Sequence, residues 1–158
     1  MMMGFILNGE DVQINLDPEK RLVDVLRNEF NLLGAKSGCR AGFCGSCQII
    51  LNGEVVKACL IPAFKIIGCE LITIEGFSQT DEYQDISFGF SEAGLISCGF
   101  CNTSIILTTE TLLSKNKLLT KDEILSAFSG IKCRCTEPEE LVRGVLMVAD
   151  YRKRRLHG

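Results

Sequence analysis

Gly38-Cys39-Arg40-Ala41-Gly42-Phe43-Cys44-Gly45-Ser46-Cys47 packs three cysteines and three glycines into ten residues, and a further cysteine follows at Cys59. Gly38, Gly42 and Gly45 allow backbone conformations closed to other residues, so the loop can turn its amide N–H groups toward its own sulfur atoms. On its C-terminal side, Asn52-Gly53 is a hairpin signal joining Gln48–Leu51 to Glu54–Lys57. On its N-terminal side, Asn8-Gly9 joins strands expected over Gly4–Leu7 and Val12–Leu16. Between that hairpin and the loop, Asp17 as N-cap and Pro18 at the first helical position predict a helix of about 12 residues. Leu22, Val25, Leu26 and Phe30 form its apolar face. With a last strand at Leu71–Glu75, residues 1–77 read as an α+β unit, a small sheet with one helix across it.

Beyond Gly76-Phe77 the strand signals stop. The polar stretch Ser78–Asp85 reads as a linker, Ile86–Ser97 as a weak helix and Cys101–Leu113 as a stronger one. Thr120 with Glu123, and Thr136 with Glu139, have capping-box spacing ahead of two more apolar helical runs. Residues 78–158 are therefore expected to form an all-α four-helix bundle.

Two cysteine sets carry the chemistry. Cys39, Cys44, Cys47 and Cys59 stand as C-x4-C-x2-C-x11-C, whose first three positions match the plant-type [2Fe-2S] spacing. Cys59 arrives from the end of the second hairpin, a rigid base for a fourth ligand. Structural zinc also accepts four thiolates, but zinc sites usually pair two short-spaced knuckles, which this asymmetric loop does not resemble. Cys98 and Cys101 form a C-x2-C pair, and Cys133 and Cys135 form a C-x-C pair after 31 intervening residues. Each pair falls at a helix junction, and two junctions meeting at one end of a bundle would enclose a metal centre; here zinc and an iron–sulfur cluster both remain open. Cys69, outside both patterns, reads as a small core hydrophobe.

Nine cysteines invite a disulfide reading, but Met1–Leu7 lacks a basic n-region and its apolar run ends at Asn8, so no secretory signal is expected. A reducing cytoplasm follows, where clustered cysteines are more often metal ligands. A net charge of −3 argues against a nucleic-acid partner. The basic run Arg152–Arg155 reads as a solvated helix end, and no apolar stretch is long enough to span a membrane. His157, in a charged tail, is the one histidine and leaves histidine catalysis without a candidate.

Taken together, Val25-Leu26-Arg27, Gly34–Cys39, Cys44–Cys47, Thr73–Gly76, Cys98-Gly99-Phe100-Cys101 and Cys133-Arg134-Cys135-Thr136 resemble the small iron–sulfur subunit of molybdenum hydroxylases, the xanthine dehydrogenase and carbon monoxide dehydrogenase family. The resemblance implies a ferredoxin-like (β-grasp) N-terminal domain and a four-helix [2Fe-2S] domain in an electron-transfer subunit with no catalytic residue of its own. It implies partners too: a large molybdopterin-binding subunit, facing Cys98, Cys101, Cys133 and Cys135, and an FAD-binding subunit, facing Cys39, Cys44, Cys47 and Cys59. Gly38, Gly42, Gly45, Ser97 and Gly99 are the cofactor-contacting positions it carries over. Ser97 departs from the family's glutamine, Asn102-Thr103-Ser104 from threonine-proline-glycine, and Glu137-Pro138 from glycine-tyrosine. A freestanding two-cluster ferredoxin is the alternative that these departures favour.

Overall fold

The computed structural model describes residues 1–95, 97–115 and 118–158. Strands β1 (Met2–Leu7), β2 (Glu10–Asn15), β3 (Gln48–Leu51), β4 (Glu54–Lys57) and β5 (Glu70–Ile72) make one sheet in the order β2-β1-β5-β3-β4. Both hairpins are present, with Asn8, Gly9, Asn52 and Gly53 all at positive φ, the geometry that a two-residue turn between twisted strands demands. β1 and β5 run parallel in the middle of the sheet, and the other pairings are antiparallel.

Helix α1 (Leu22–Asn28) crosses one face and buries Leu22, Val23, Val25 and Leu26. It starts four residues later than Asp17 and Pro18 suggest. Backbone groups that would begin the helix are taken by the segment that follows β4: Leu22 N–H donates to Ile61, Ala63 N–H to Lys20, and Phe64 N–H to Pro18. Asp17 instead accepts the Glu19 N–H at 3.0 Å, holding a turn. β5 is shorter than expected because Asn8 hydrogen-bonds both the backbone and the hydroxyl of Thr73, drawing it out of the ladder into the short helix α2 (Ile74–Phe77).

The remaining helices are α3 (Asp81–Glu92), α4 (Asn102–Lys115), α5 (Lys121–Phe128) and α6 (Pro138–His157), making six α-helices among the described residues. The expected linker is largely the start of α3. Its polar residues are cap signals: Thr80 accepts the Tyr83 N–H at 3.2 Å, and Asp81 and Glu82 occupy the first turn. Thr80→Ala should cost about 1 kcal/mol, read as a lower urea midpoint with an unchanged slope. The α3 helix ends at Glu92, ahead of Gly94 in the left-handed region, earlier than Ser97; Ile96 lies outside the described residues. The Thr120 box is formed, whereas the second box shifts by one residue to Glu137 and Glu140, since Pro138 at the first helical position makes Glu137 the cap.

Strand alternation gives β3 two buried faces. Ile49 belongs to the core under α1, while Ile50 belongs to the core of the helical half with Ile105, Ile124 and Val145. Thr108 of α4 also donates to the buried Gln48 side chain at 2.7 Å. The sheet is thus shared between two small cores, each too thin to stand comfortably alone.

The basic run is not simply a solvated end. Arg152 and Arg155 turn inward from α6 onto Asp85 of α3, which is 1 % exposed, and Arg152 also reaches Glu110 of α4 at 2.8 Å. Cys69 is half-buried against the first core rather than fully inside it. Among the described residues no helix is long and apolar enough to cross a membrane.

Candidate metal centres

All nine cysteines are free thiols. Cys39, Cys44 and Cys47 sit on a loop pinned by backbone hydrogen bonds: Lys36 N–H donates to the Ser46 carbonyl, and Ala58 N–H donates to the Cys47 carbonyl. Cys59 lies on a 3₁₀ turn, Ala58–Leu60, that directly follows β4, rather than on the strand. Within the loop, Cys39 Sγ accepts from the N–H groups of Ala41, Phe43 and Cys44 at 3.4, 3.2 and 3.2 Å. Cys39 N–H in turn donates to Cys44 Sγ at 3.4 Å, and Cys59 N–H to Cys47 Sγ at 3.5 Å. These donors favour a thiolate, and the amides of Cys44, Ala41 and Phe43 bring the Cys39 thiol down to about 6.

Gly38 is needed for space. A Cβ there would stand 2.8 Å from Ser46 Oγ and 2.9 Å from Cys44 Sγ. Gly45 is needed for both space and conformation: its φ is +75°, and a Cβ would meet the Gly130 carbonyl oxygen at 2.2 Å. Gly42 and Gly99 also take positive φ. Arg40, at φ 58°, is a non-glycine residue in the left-handed region, held there by a two-pronged ion pair with Asp24, both bonds 2.6 Å. Arg40 in turn keeps the Asp24 carboxyl below its usual range.

The thiols of each set lie near one another. In the first set, backbone N–H groups tie Cys39 to Cys44 in both directions and Cys59 to Cys47 Sγ. In the second set Cys98 and Cys101 lie within electrostatic reach of Cys133 and Cys135. The junction between α3 and α4 therefore meets the junction between α5 and α6, as the spacing of the two short motifs suggests. In each set a buried member is opposed by an exposed one: burial pushes Cys47 and Cys101 up to about 11, while the Phe100 amide lowers exposed Cys98. Among the described residues no three Cys, His, Asp or Glu side chains converge tightly enough for one ion. Four thiols per set would suit a [2Fe-2S] centre, which takes four protein ligands and supplies one-electron chemistry.

The two sets touch through backbone. Lys132 N–H, one residue before Cys133, donates to the Cys44 carbonyl at 2.9 Å, and Gly45 packs on Gly130 and Ile131. Ser97 donates to Asn102 at 3.3 Å beside a cavity of about 380 Å³ that Tyr83, Ser87 and Ser91 also line. Sequence reading missed Ser46, whose hydroxyl lies 3.0 Å from Cys44 Sγ, and Lys57, whose ammonium donates to the Gly42 carbonyl at 2.6 Å. Neither has a local sequence signal.

Comparison with known proteins agrees with both halves. Residues 5–65 match the family described as 2Fe-2S iron-sulfur cluster binding domain, and residues 73–146 the [2Fe-2S] binding domain. The nicotinate dehydrogenase small FeS subunit of Eubacterium barkeri is 42% identical over 82% of this chain and 83% of its own. The xanthine dehydrogenase iron-sulfur-binding subunit of Escherichia coli O157:H7 is 33% identical over 89% of both chains. Among solved structures, quinoline 2-oxidoreductase from Pseudomonas putida 86 superposes with a TM-score of 0.87 at 32% identity, covering 98% of this chain and 96% of the matched one.

Proposed function

Because this chain belongs to the family of iron–sulfur subunits of xanthine dehydrogenase-type molybdenum hydroxylases, we propose that it relays single electrons from a molybdopterin-binding subunit to an FAD-binding subunit. It is an electron-transfer subunit of an oxidoreductase complex. Cys39, Cys44, Cys47 and Cys59 hold one [2Fe-2S] cluster, and Cys98, Cys101, Cys133 and Cys135 hold the other. Bound there, each cluster supplies one-electron chemistry, which links partners that handle electron pairs. The carrying observation is the gathering of four thiols in each set, on either side of the Cys44–Lys132 hydrogen bond.

The chain's own residues hold and orient. Amides around Cys39 stabilise its negative charge, Gly38 leaves room for Cys44, and Gly45 lets the first loop seat against the Gly130 turn. Phe43 (67 % exposed) and Phe100 (48 % exposed) stand beside the two sets as apolar contacts for the partners. Residues 1–77 serve the first cluster as a β-grasp unit and residues 78–158 the second as a four-helix unit, with Gly38, Gly42, Gly45, Ser97 and Gly99 lining the cofactor contacts. Nine free thiols suit a reducing cytoplasm.

EPR of the anaerobically reduced protein tests the reading. Cys44→Ala should abolish one cluster signal and Cys101→Ala the other, with iron and acid-labile sulfide each falling by about half. Loss of the same signal in both variants would refute two separate centres. Native pull-down that brings neither a molybdenum protein nor a flavoprotein would leave a freestanding two-cluster ferredoxin, which Ser97 in place of glutamine favours.

A further inference from the structure

Lys57 ends β4 two residues before Cys59, and its side chain is turned back into the crease between the two cysteine sets. Its Nζ donates to the Gly42 carbonyl at 2.6 Å, inside the loop that carries Cys39 and Cys44. On the other side, a Cβ built on Gly130 would lie 3.4 Å from the same Nζ. Gly130 is three residues before Cys133, and its carbonyl is the group against which Gly45 packs. None of the ion pairs among the described residues involves Lys57, so its partner there is a neutral carbonyl rather than a carboxylate.

We propose that Lys57 is a positioning residue for the electron: its ammonium, fixed on the first cysteine loop, biases the electron shared by the two centres toward the Cys39, Cys44, Cys47 and Cys59 set. The assignment rests on the reading that both sets hold [2Fe-2S] clusters. Reduction makes a centre one unit more negative, so a nearby cation stabilises the reduced form. Half-burial keeps that attraction less screened than in open water. The effect is differential because the hydrogen bond to Gly42 and the short tether to Cys59 hold the charge beside the first set, whereas it meets the second only across the Gly130 turn. Net charge and hydrogen bonding around the sulfurs are recognised determinants of cluster potential. Lys57 thus adds a full charge in the same sense as the amide donors on Cys39, and in the direction of a relay that leaves through the first set.

The test is a reductive titration of the full chain followed by EPR, with the signals assigned through Cys44→Ala and Cys101→Ala. Lys57→Gln keeps a donor for Gly42 without the charge, Lys57→Met removes both, and Lys57→Arg keeps the charge. The neutral variants should move the one-electron equilibrium between the centres about tenfold toward the Cys98 set, about 59 mV in the difference of midpoint potentials. Lys57→Arg should leave that difference near the parent value. Neutral variants that hold both centres at an unchanged difference overturn the proposal. Loss of the first centre in both neutral variants overturns it as well, since Lys57 would then be a clamp on the loop. A parent chain with a single reducible centre would sink the relay reading itself, an outcome distinct from unmoved potentials in a protein with two.

Discussion

Gly45→Ala is expected to lower the stability of the protein by about 2–5 kcal/mol and to weaken magnetic coupling between the two reduced centres. The left-handed backbone at Gly45 costs an L side chain about 1–2 kcal/mol. The added Cβ would also stand 2.2 Å from the Gly130 carbonyl oxygen and 2.9 Å from Ile131 Cα, contacts with backbone that no rotamer change relieves. Overpacking of that kind adds about 1–3 kcal/mol. Relief requires the first cysteine loop to move away from the turn before Cys133, which stretches the Cys44–Lys132 hydrogen bond. Urea unfolding reads the stability, and EPR of the fully reduced protein reads the spin–spin interaction. Parent-like splitting with parent-like stability would show that the loops do not meet as described. Gly53→Ala is the control: Gly53 also has positive φ, but its Cβ would meet nothing within 4 Å, so it should show the backbone cost alone.

Asp85→Ala is expected to cost about 3–5 kcal/mol, because removing one partner of a buried ion pair leaves the other charge uncompensated. Asp85 is 1 % exposed and accepts from Arg152 at 3.0 Å and from Arg155 at 2.6 and 2.7 Å. Arg152 continues to Glu110 and to the Glu82 carbonyl, so one carboxylate ties α3, α4 and α6 together. Glu110 is held above its usual range by burial, against the pull of Arg152, and would become the one carboxylate left to that guanidinium. Salt should change the loss little, since buried pairs are screened weakly. Disruption of the exposed Lys121–Glu139 pair should instead fall within about 1 kcal/mol. Thermal unfolding of the two variants side by side decides the matter; equal, small losses would mean that the Asp85 cluster is solvated.

Local chemistry was legible where it is local in its physics. Asn8-Gly9 and Asn52-Gly53 specify their turns because few residues tolerate positive φ, and the loop from Gly38 to Cys47 declares itself because close-spaced thiols and glycines suit little else. The start of α1 is not legible locally, since Pro18 and Asp17 make a valid cap whose backbone groups are claimed by residues 61–64. The polar stretch from Ser78 to Asp85 hides a helix start for the opposite reason. Its polarity is real, but Thr80 spends it on a cap and Asp85 on arginines 67 and 70 residues away.

What the chain determined by itself is the spacing of its two cysteine sets and the two kinds of secondary structure, which depend on spacing, turn chemistry and periodicity over a few residues. Tertiary structure alone decided that the α3–α4 and α5–α6 junctions meet, that β3 is buried on both faces, and that Gly45, Gly130 and Lys57 share one crease. Those outcomes depend on distances between segments far apart in sequence, set by how two thin cores close on a shared sheet, and no short window of residues contains that information.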